Sequence, residues 1–152
     1  SVGGTLIDYT MDRDQLGALF ARCDGYISLH RSEGFGLTMA EAMALGKPVV
    51  ATGYSGNLQF MTEQNSFLVR HTLVEIERAY GPYPAGHVWA EPDTDHAAEL
   101  MIHVLRNPED AAQRARLAAQ DIRRRFAPEV VAQSIIARLG KVVCAPAQGH
   151  ND

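Results

Sequence analysis

Short apolar runs alternate with helical patterns along the first two thirds of the chain, and this alternation constrains the fold more than any other feature. The runs are residues 5–7, 26–30, 49–52 and 67–69. Between the first two, apolar residues recur at helical spacing after a capping candidate, Asp12 or Thr10. Residues 38–45 form a second helical pattern, stopped by Gly46 and Pro48. Strands that alternate with helices pair in parallel through right-handed crossovers.

The run 49–52 is apolar without alternation, which is typical of a strand covered on both faces. The sequence therefore predicts an α/β fold, a Rossmann-like parallel sheet of about four or five strands with C-terminal helices.

The stretch from residue 70 to 86 interrupts the pattern. Its glycines and prolines at 81–86 indicate an inserted surface loop, after which residues 88–90 return to the sheet edge. Three helices follow, the last of them from Pro128 to a stop at Gly140. Two predicted core faces are Ala97, Leu100, Met101, Val104 and Leu105, and Ala115, Ala118, Ala119, Ile122 and Phe126. We expect one partial domain over residues 1–143 and a flexible tail over 144–152.

Composition excludes several classes of protein. The 152 residues suit one domain, and a net charge of −4 disfavours non-specific binding of nucleic acid. No apolar run is long enough to span a membrane, and the chain, which opens with Ser1, shows no signal peptide. Cys23 and Cys144 lack metal-ligand spacing, as do the histidines at 71, 87, 96 and 103. We expect no metal and no cofactor, a cytoplasmic location, and a chain that is a piece of a longer protein.

The segment 32–41 carries the chemistry. Gly34 and Gly36 follow a predicted strand and open a helix, so they lie at the edge of the sheet where ligands bind. The first helical amides, from Gly36, Leu37 and Thr38, have no intrahelical partner, and the helix dipole favours an anion there. The carboxylates of Glu33 and Glu41 flank these amides and are suited to accept hydrogen bonds from sugar hydroxyls. A diphosphate joined to a sugar fits this pattern.

A purely structural alternative fits the same residues. Thr38 and Glu41 have the spacing of a capping box, in which Glu41 only fixes the start of the helix. The two glycines then serve only as a turn. Spacing alone leaves both interpretations open.

A longer pattern surrounds this segment. Glu33, seven further residues and Glu41 stand within SEGFGLTMAEAMALGKPVVAT, residues 32–52. This segment resembles the EX7E signature of GT-B retaining glycosyltransferases of group 1, family 4. The similarity extends more loosely back to Asp14 and forward to residues 55–57. The resemblance implies one half of a GT-B fold, the nucleotide-sugar-binding C-terminal domain.

The resemblance implies roles for individual residues. Glu33 is the catalytic residue, beside the donor sugar near the reaction centre. Donor binding falls to the backbone of Gly34, Phe35, Gly36 and Leu37, to Thr38 at the phosphate and to Glu41 at the ribose hydroxyls. Met11, in the loop 9–11, lies near the base. The donor is a nucleotide-diphosphate sugar, transfer retains the anomeric configuration, and metal is not required.

Departures from the family pattern limit what this chain does alone. Thr38 stands where many members have Pro. Like Pro, Thr suits the start of a helix. Lys47 and Lys141 do not fit the role of the family's diphosphate-binding lysine, and residues 1–152 contain no acceptor-binding N-terminal domain. We expect the isolated chain to lack transferase activity. A non-catalytic nucleotide-sugar-binding module and a sugar-nucleotide epimerase on the same fold stay open as alternatives.

The same interpretation predicts an acceptor and assigns roles to the remaining charged and aromatic residues. The resemblance implies a glycan or lipid-linked glycan acceptor. The arginines 114, 116, 123, 124 and 125 read as a solvated helix face, with a contact to anionic lipid at the inner face of the membrane as the alternative. His30 reads as a strand-end histidine with ordinary hydrogen bonds rather than a sugar ligand. Trp89, Tyr80 and Tyr83 read as packing of the inserted loop.

Overall fold

A computed structural model of the chain describes residues 3–143, with side chains described through Gly140. These residues form, in chain order, α1 (Arg13–Arg22), β1 (Tyr26–Ser28), α2 (Leu37–Ala44), β2 (Val49–Thr52), a 3₁₀ turn (Gly56–Gln59), β3 (Phe67–Val69), β4 (His71–Glu75), β5 (Val88–Pro92), α3 (Thr94–Arg106), α4 (Pro108–Phe126) and α5 (Pro128–Val143). The predicted tail lies outside the described residues.

Three strands form the predicted parallel sheet. Their order is β1-β2-β3, and Val50 pairs with Ile27 on one side and with Phe67 on the other. Because the strands are parallel, the loops 29–36 and 53–57, which follow β1 and β2, leave the same edge of the sheet. The α/β class and the Rossmann-like arrangement are confirmed.

Helices cover both faces of this sheet, and all four residues of β2 are buried as predicted. On one face, Val49 and Ala51 pack with α2, α4 and Phe60. On the other face, Val50, Phe67 and Val69 pack with Ala97 of α3. The strand that precedes the second loop is therefore the most completely enclosed element of the fold.

The inserted segment folds differently from the prediction. β4 and β5 form a separate antiparallel hairpin, so residues 88–90 do not extend the parallel sheet, which has three strands within the described residues. The Gly81-Pro82 pair breaks regular structure only at the tip, where Tyr80 and Tyr83 exchange two backbone hydrogen bonds. In the middle of β5, the Ala90 N–H donates to Arg31 O at 2.9 Å.

Residues 5–7 are not a strand either. They lie in irregular chain before α1, and Leu6 is 88% exposed. An apolar triplet without a neighbouring strand in the described residues has nothing to pair with, which explains the difference.

The late helices follow the predicted periodicity but not all of the predicted burial. The face of α4 is buried at Ala115, Ala118 and Ile122. On α3 only Ala97 is buried, and Leu105 is 76% exposed. α5 continues through Gly140 to Val143, so the predicted stop at this glycine is wrong. None of the helices in the described part of the chain is long and apolar enough to cross a bilayer.

Arg114 does not belong to the solvated basic face. Its guanidinium donates to Asp110 and to the Ser66 carbonyl and lies 4.6 Å from the Phe67 ring centroid. It is a structural residue that joins α4 to the start of β3. Arg116, Arg123, Arg124 and Arg125 are exposed, as predicted.

Candidate functional site

The loop after β1 ends in a helix start that only glycine supports. Gly36 caps α2 with φ +94° and ψ +49°, in the left-handed region. A Cβ at this position would lie 2.8 Å from Met39 Cε and 3.2 Å from Asn57 Cβ. The left-handed conformation therefore favours glycine, and the Asn57 Cβ leaves little room for a side chain, whereas the flexible end of Met39 can move.

This geometry removes the capping-box alternative. No side chain caps the helix, Thr38 is its second residue, and Glu41 is its fifth. A capping box needs its first residue at the cap position, two residues before Thr38. The structural interpretation of Glu41 as a cap is wrong, and its carboxylate is available for another role.

Three of the predicted donor-binding residues share one face of α2. Leu37 and Thr38 are exposed and Glu41 is half-buried, whereas Met39, Ala40, Ala42 and Met43 are buried. The Tyr26 hydroxyl donates to Thr38 Oγ1 at 2.9 Å, which orients this side chain at the helix start. The first-turn amides lack intrahelical acceptors, so this face combines a positive helix end with a carboxylate one turn away.

Phe35 anchors the loop to the core. Its ring centroid lies 5.0 Å from that of Phe60 and 5.4 Å from that of Phe126, the latter edge-to-face. The side chain is therefore committed to packing. This arrangement is compatible with the expectation that Phe35 serves a ligand through its backbone.

A second loop, after β2, holds the first. The Ser55 hydroxyl donates to the Glu33 carbonyl at 2.7 Å, the Glu33 N–H donates to Ser55 Oγ at 3.3 Å, and the Gly56 N–H donates to the Glu33 carbonyl at 3.0 Å. A Cβ at Gly56 would overlap the carbonyl oxygen of Gly34. The two loops meet backbone to backbone, and the contact fixes Glu33.

His30 forms a further bridge between the same loops. Its Nε2 lies 3.0 Å from the Tyr54 carbonyl and 3.2 Å from Asn57 Oδ1, while Nδ1 lies 3.2 Å from Ser28 Oγ. Asn57 Nδ2 donates to the Thr52 carbonyl at 3.1 Å, so Oδ1 faces the histidine as an acceptor. Two acceptors at Nε2 place the proton there, and Nδ1 accepts from Ser28. The structural interpretation of His30 is supported.

Sequence reasoning missed the role of Ser55 and Gly56, although the family resemblance reaches them. The available signal was their place directly after the buried strand β2. Loops that follow neighbouring parallel strands leave the same edge of a sheet and meet there.

Glu41 and the start of α1 line one groove. This groove, of about 260 Å³, lies between α1 and α2, and Arg13 is on its wall. Asp12 caps α1 through a capping box with Gln15. Met11 is half-buried two residues before Arg13. The structure thus places Glu41 in the groove between α1 and α2, and Glu33 at the contact with Ser55 and Gly56.

The aromatic residues of the hairpin pack on one another. Tyr80 and Tyr83 lie edge-to-face against Trp89, with centroids 6.2 and 5.8 Å away. Arg31 stacks 4.8 Å from the Trp89 centroid and forms a 2.7 Å ion pair with Glu91. This confirms the packing interpretation and leaves Arg31 engaged with the hairpin. Within the described residues, no cluster of three or more His, Cys, Asp or Glu could hold a metal ion.

Comparisons with known proteins agree with this architecture. A profile of the family described as "Family 4 Glycosyltransferase in conflict systems" matches residues 4–135. The trehalose synthase of Pyrococcus horikoshii is 26% identical over 113 residues, which are 74% of this chain and 22% of that protein.

Solved GT-B glycosyltransferase structures share the fold. HepE from Anabaena, in complex with UDP, superposes with a TM-score of 0.64 at 24% identity, over 85% of this chain and 30% of HepE. The sucrose-phosphate synthase of Thermosynechococcus elongatus superposes with a TM-score of 0.67 at 20% identity, over 89% of this chain and 29% of that enzyme. The chain spans less than a third of the length of each of these relatives.

Proposed function

Since the chain belongs to the family 4 glycosyltransferases of conflict systems, we propose that it is the donor-binding part of a retaining glycosyltransferase. Its ligand is a nucleotide-diphosphate sugar. One observation carries this proposal: in the chain, Glu33 precedes and Glu41 follows a glycine-capped helix start whose first amides are free of intrahelical bonds.

Each residue of the site has a task in this proposal. The amides from Gly34 to Leu37 and the hydroxyl of Thr38 bind the diphosphate, because the positive end of α2 favours an anion there. Glu33 accepts hydrogen bonds from the donor sugar, and Glu41 accepts them from the ribose. The loop around Met11 lies against the base.

The chemistry that these residues serve breaks one bond and forms one. The acceptor oxygen bonds to the anomeric carbon on the face that the diphosphate leaves, and the diphosphate takes the electron pair of the broken carbon–oxygen bond. The acceptor proton passes to a diphosphate oxygen. The amides of α2 stabilise the charge that develops on this leaving group, and Glu33 orients the sugar.

Uridine nucleotides are the first ligands to test. HepE, which shares the fold, has been solved with UDP and with UDP-glucose. The chain covers less than a third of such proteins. This proposal therefore assigns binding of the acceptor to a domain outside residues 1–152. Ligand binding, rather than turnover, is therefore the appropriate measurement for this chain.

Glu41→Gln tests the site. We expect UDP to raise the melting temperature of the wild-type chain, and the variant to bind UDP roughly tenfold more weakly, because a charge-assisted hydrogen bond to the ribose becomes a neutral one. The melting temperature without ligand stays the same, since Glu41 caps nothing. Glu99→Gln, on the exposed side of α3, is the matched control.

Calorimetric titration of the wild-type chain and of both variants with UDP, UDP-glucose, GDP and ADP measures these affinities. Loss of stability without loss of affinity in Glu41→Gln, or no binding of any of these ligands by the wild-type chain, would contradict the proposal.

A further inference from the structure

We propose that Ser55 is a positioning residue that sets the orientation of Glu33 and thereby the chain's preference for a sugar-bearing nucleotide over the bare nucleotide. This inference rests on the proposed function, because it assigns Glu33 to the donor sugar. It concerns a residue that lies 22 positions away from Glu33 in sequence and contacts it through the neighbouring loop.

The contact is specific for the backbone of Glu33. The Ser55 hydroxyl both donates to the Glu33 carbonyl and accepts from the Glu33 N–H, at 2.7 and 3.3 Å. The Gly56 N–H adds a third hydrogen bond to the same carbonyl. All three bonds go to the backbone, so they fix the position from which the carboxylate extends while leaving the carboxylate for a ligand.

Ser55 adopts a backbone conformation that glycine would adopt at lower cost. Its φ of +81° and ψ of −150° fall in a region that is almost restricted to glycine, and it is the one non-glycine residue with positive φ in the described chain. A glycine here would relieve this strain. Serine adds a Cβ, which the conformation disfavours, and a hydroxyl, which is bonded to Glu33.

A merely structural role makes a different prediction. If the hydroxyl only stabilised the loop, its removal would lower stability and weaken all ligands of the site equally. If it positions Glu33, Ser55→Gly loses two hydrogen bonds but also relieves the backbone strain, so stability changes little, while the contribution of the sugar to binding is lost. The ratio of two affinities therefore separates the roles.

The experiment measures dissociation constants of the 152-residue chain for UDP and UDP-glucose by calorimetry. Two variants, Ser55→Gly and Ser55→Ala, remove the hydroxyl with and without relief of the strain. Ser134→Ala is the control, because Ser134 also donates to a backbone carbonyl, that of Val130, on the exposed helix α5.

We expect both Ser55 variants to bind UDP-glucose roughly tenfold more weakly and UDP within about twofold of the wild type. Ser55→Gly has the higher melting temperature of the two. Amide hydrogen exchange across residues 33–36 becomes faster in both, while exchange in α2 is unchanged. Ser134→Ala binds both ligands as the wild type does.

The outcomes are distinguishable. Wild-type protein that binds neither ligand overturns the proposed function and this inference with it. Wild-type protein that binds both, with Ser55 variants that keep the wild-type ratio or lose both ligands equally, overturns only the inference. Faster exchange at 33–36 without a change of ratio also overturns it, because the contact then positions nothing that the sugar uses.

Discussion

The loops at the carboxyl edge of the parallel sheet and the β4–β5 hairpin beside them are held in opposite ways. The loops after β1 and β2 pack tightly at the Glu33 and Gly34 backbone, through the Gly56 N–H and the Ser55 hydroxyl, with no space for a side chain at Gly56. The hairpin meets the first loop through one backbone hydrogen bond, from Ala90 to Arg31, and otherwise through side chains, the Trp89 cluster and the exposed ion pair of Arg31 and Glu91. Backbone contacts fix a position narrowly, whereas exposed side-chain contacts tolerate substitution. The difference indicates that the loops after β1 and β2, rather than the hairpin, need precise geometry.

Gly56→Ala breaks the tight region and has the largest expected effect. The new methyl group overlaps the Gly34 carbonyl, so one loop has to move. We expect a loss of about 3 kcal/mol in the free energy of unfolding, at the upper end for overpacking, and loss of measurable UDP-glucose binding. Urea unfolding and calorimetry check this.

Gly86→Ala is the matched substitution in the hairpin. Gly86 has a positive φ of +80° but nothing within 4 Å of the added Cβ. Strain alone costs about 1–2 kcal/mol here, and UDP-glucose affinity stays the same. Equal losses of affinity in the two variants would contradict the comparison.

Gly34→Ala sharpens the comparison between the loops and the hairpin. Gly34 lies in the tightly packed loop contact, yet a Cβ on this residue would have open space around it. Nothing lies within 4 Å of a Cβ at Gly34, so we expect the free energy of unfolding to change by less than about 0.5 kcal/mol. Its amide belongs to the proposed diphosphate site, and a methyl group there weakens UDP binding roughly tenfold by obstructing close approach of the ligand. Unchanged affinity would mean that the diphosphate lies elsewhere.

Asp110→Asn tests a third region, the junction of α3 and α4, and has the smallest expected effect. The hydrogen bond from His103, and secondarily those from Arg114, hold the pKa of Asp110 below its usual value despite some desolvation. A lowered pKa in the folded state gives stability that is present above pH 4 and lost as the pH falls through the folded-state pKa.

The expected difference between wild type and Asp110→Asn is less than about 1 kcal/mol, since the carboxylate is partly exposed. It narrows when urea unfolding is repeated at pH 3, and UDP affinity at pH 7 is unaffected. A difference that grows on acidification would contradict the assigned direction.

The sequence predicted the parallel sheet and the glycine-containing loop before α2 because both depend on local patterns. The unalternated run 49–52 identified a strand buried on both faces, and the glycines before α2 identified the helix start. The sequence-based prediction failed where residues far apart in the chain determine the local geometry. The cap falls on Gly36 rather than Thr38, at a left-handed backbone conformation where the Asn57 Cβ leaves little room for a side chain.

The apolar periodicity of the sequence also failed to predict burial, because the exposure of a strand or helix face depends on which other element packs against it. The residues of β4 mix polar and apolar side chains because both faces of the hairpin are partly exposed, so they did not stand out as a strand. The apolar residues of α3 and α5 follow the helical period but are in large part exposed. A helical pattern identifies a face of a helix and contains no information about its partner.

The contact of Phe35 with Phe126 has a mechanical consequence. Phe126 is the last residue of α4, where the chain turns into α5, and its ring meets a residue of the ligand loop. A tilt of the last helix would therefore be passed by two aromatic rings to the loop that we propose to bind the diphosphate. The turn between α4 and α5 is thereby in contact with this loop, although Phe35 and Phe126 are about 90 residues apart in sequence.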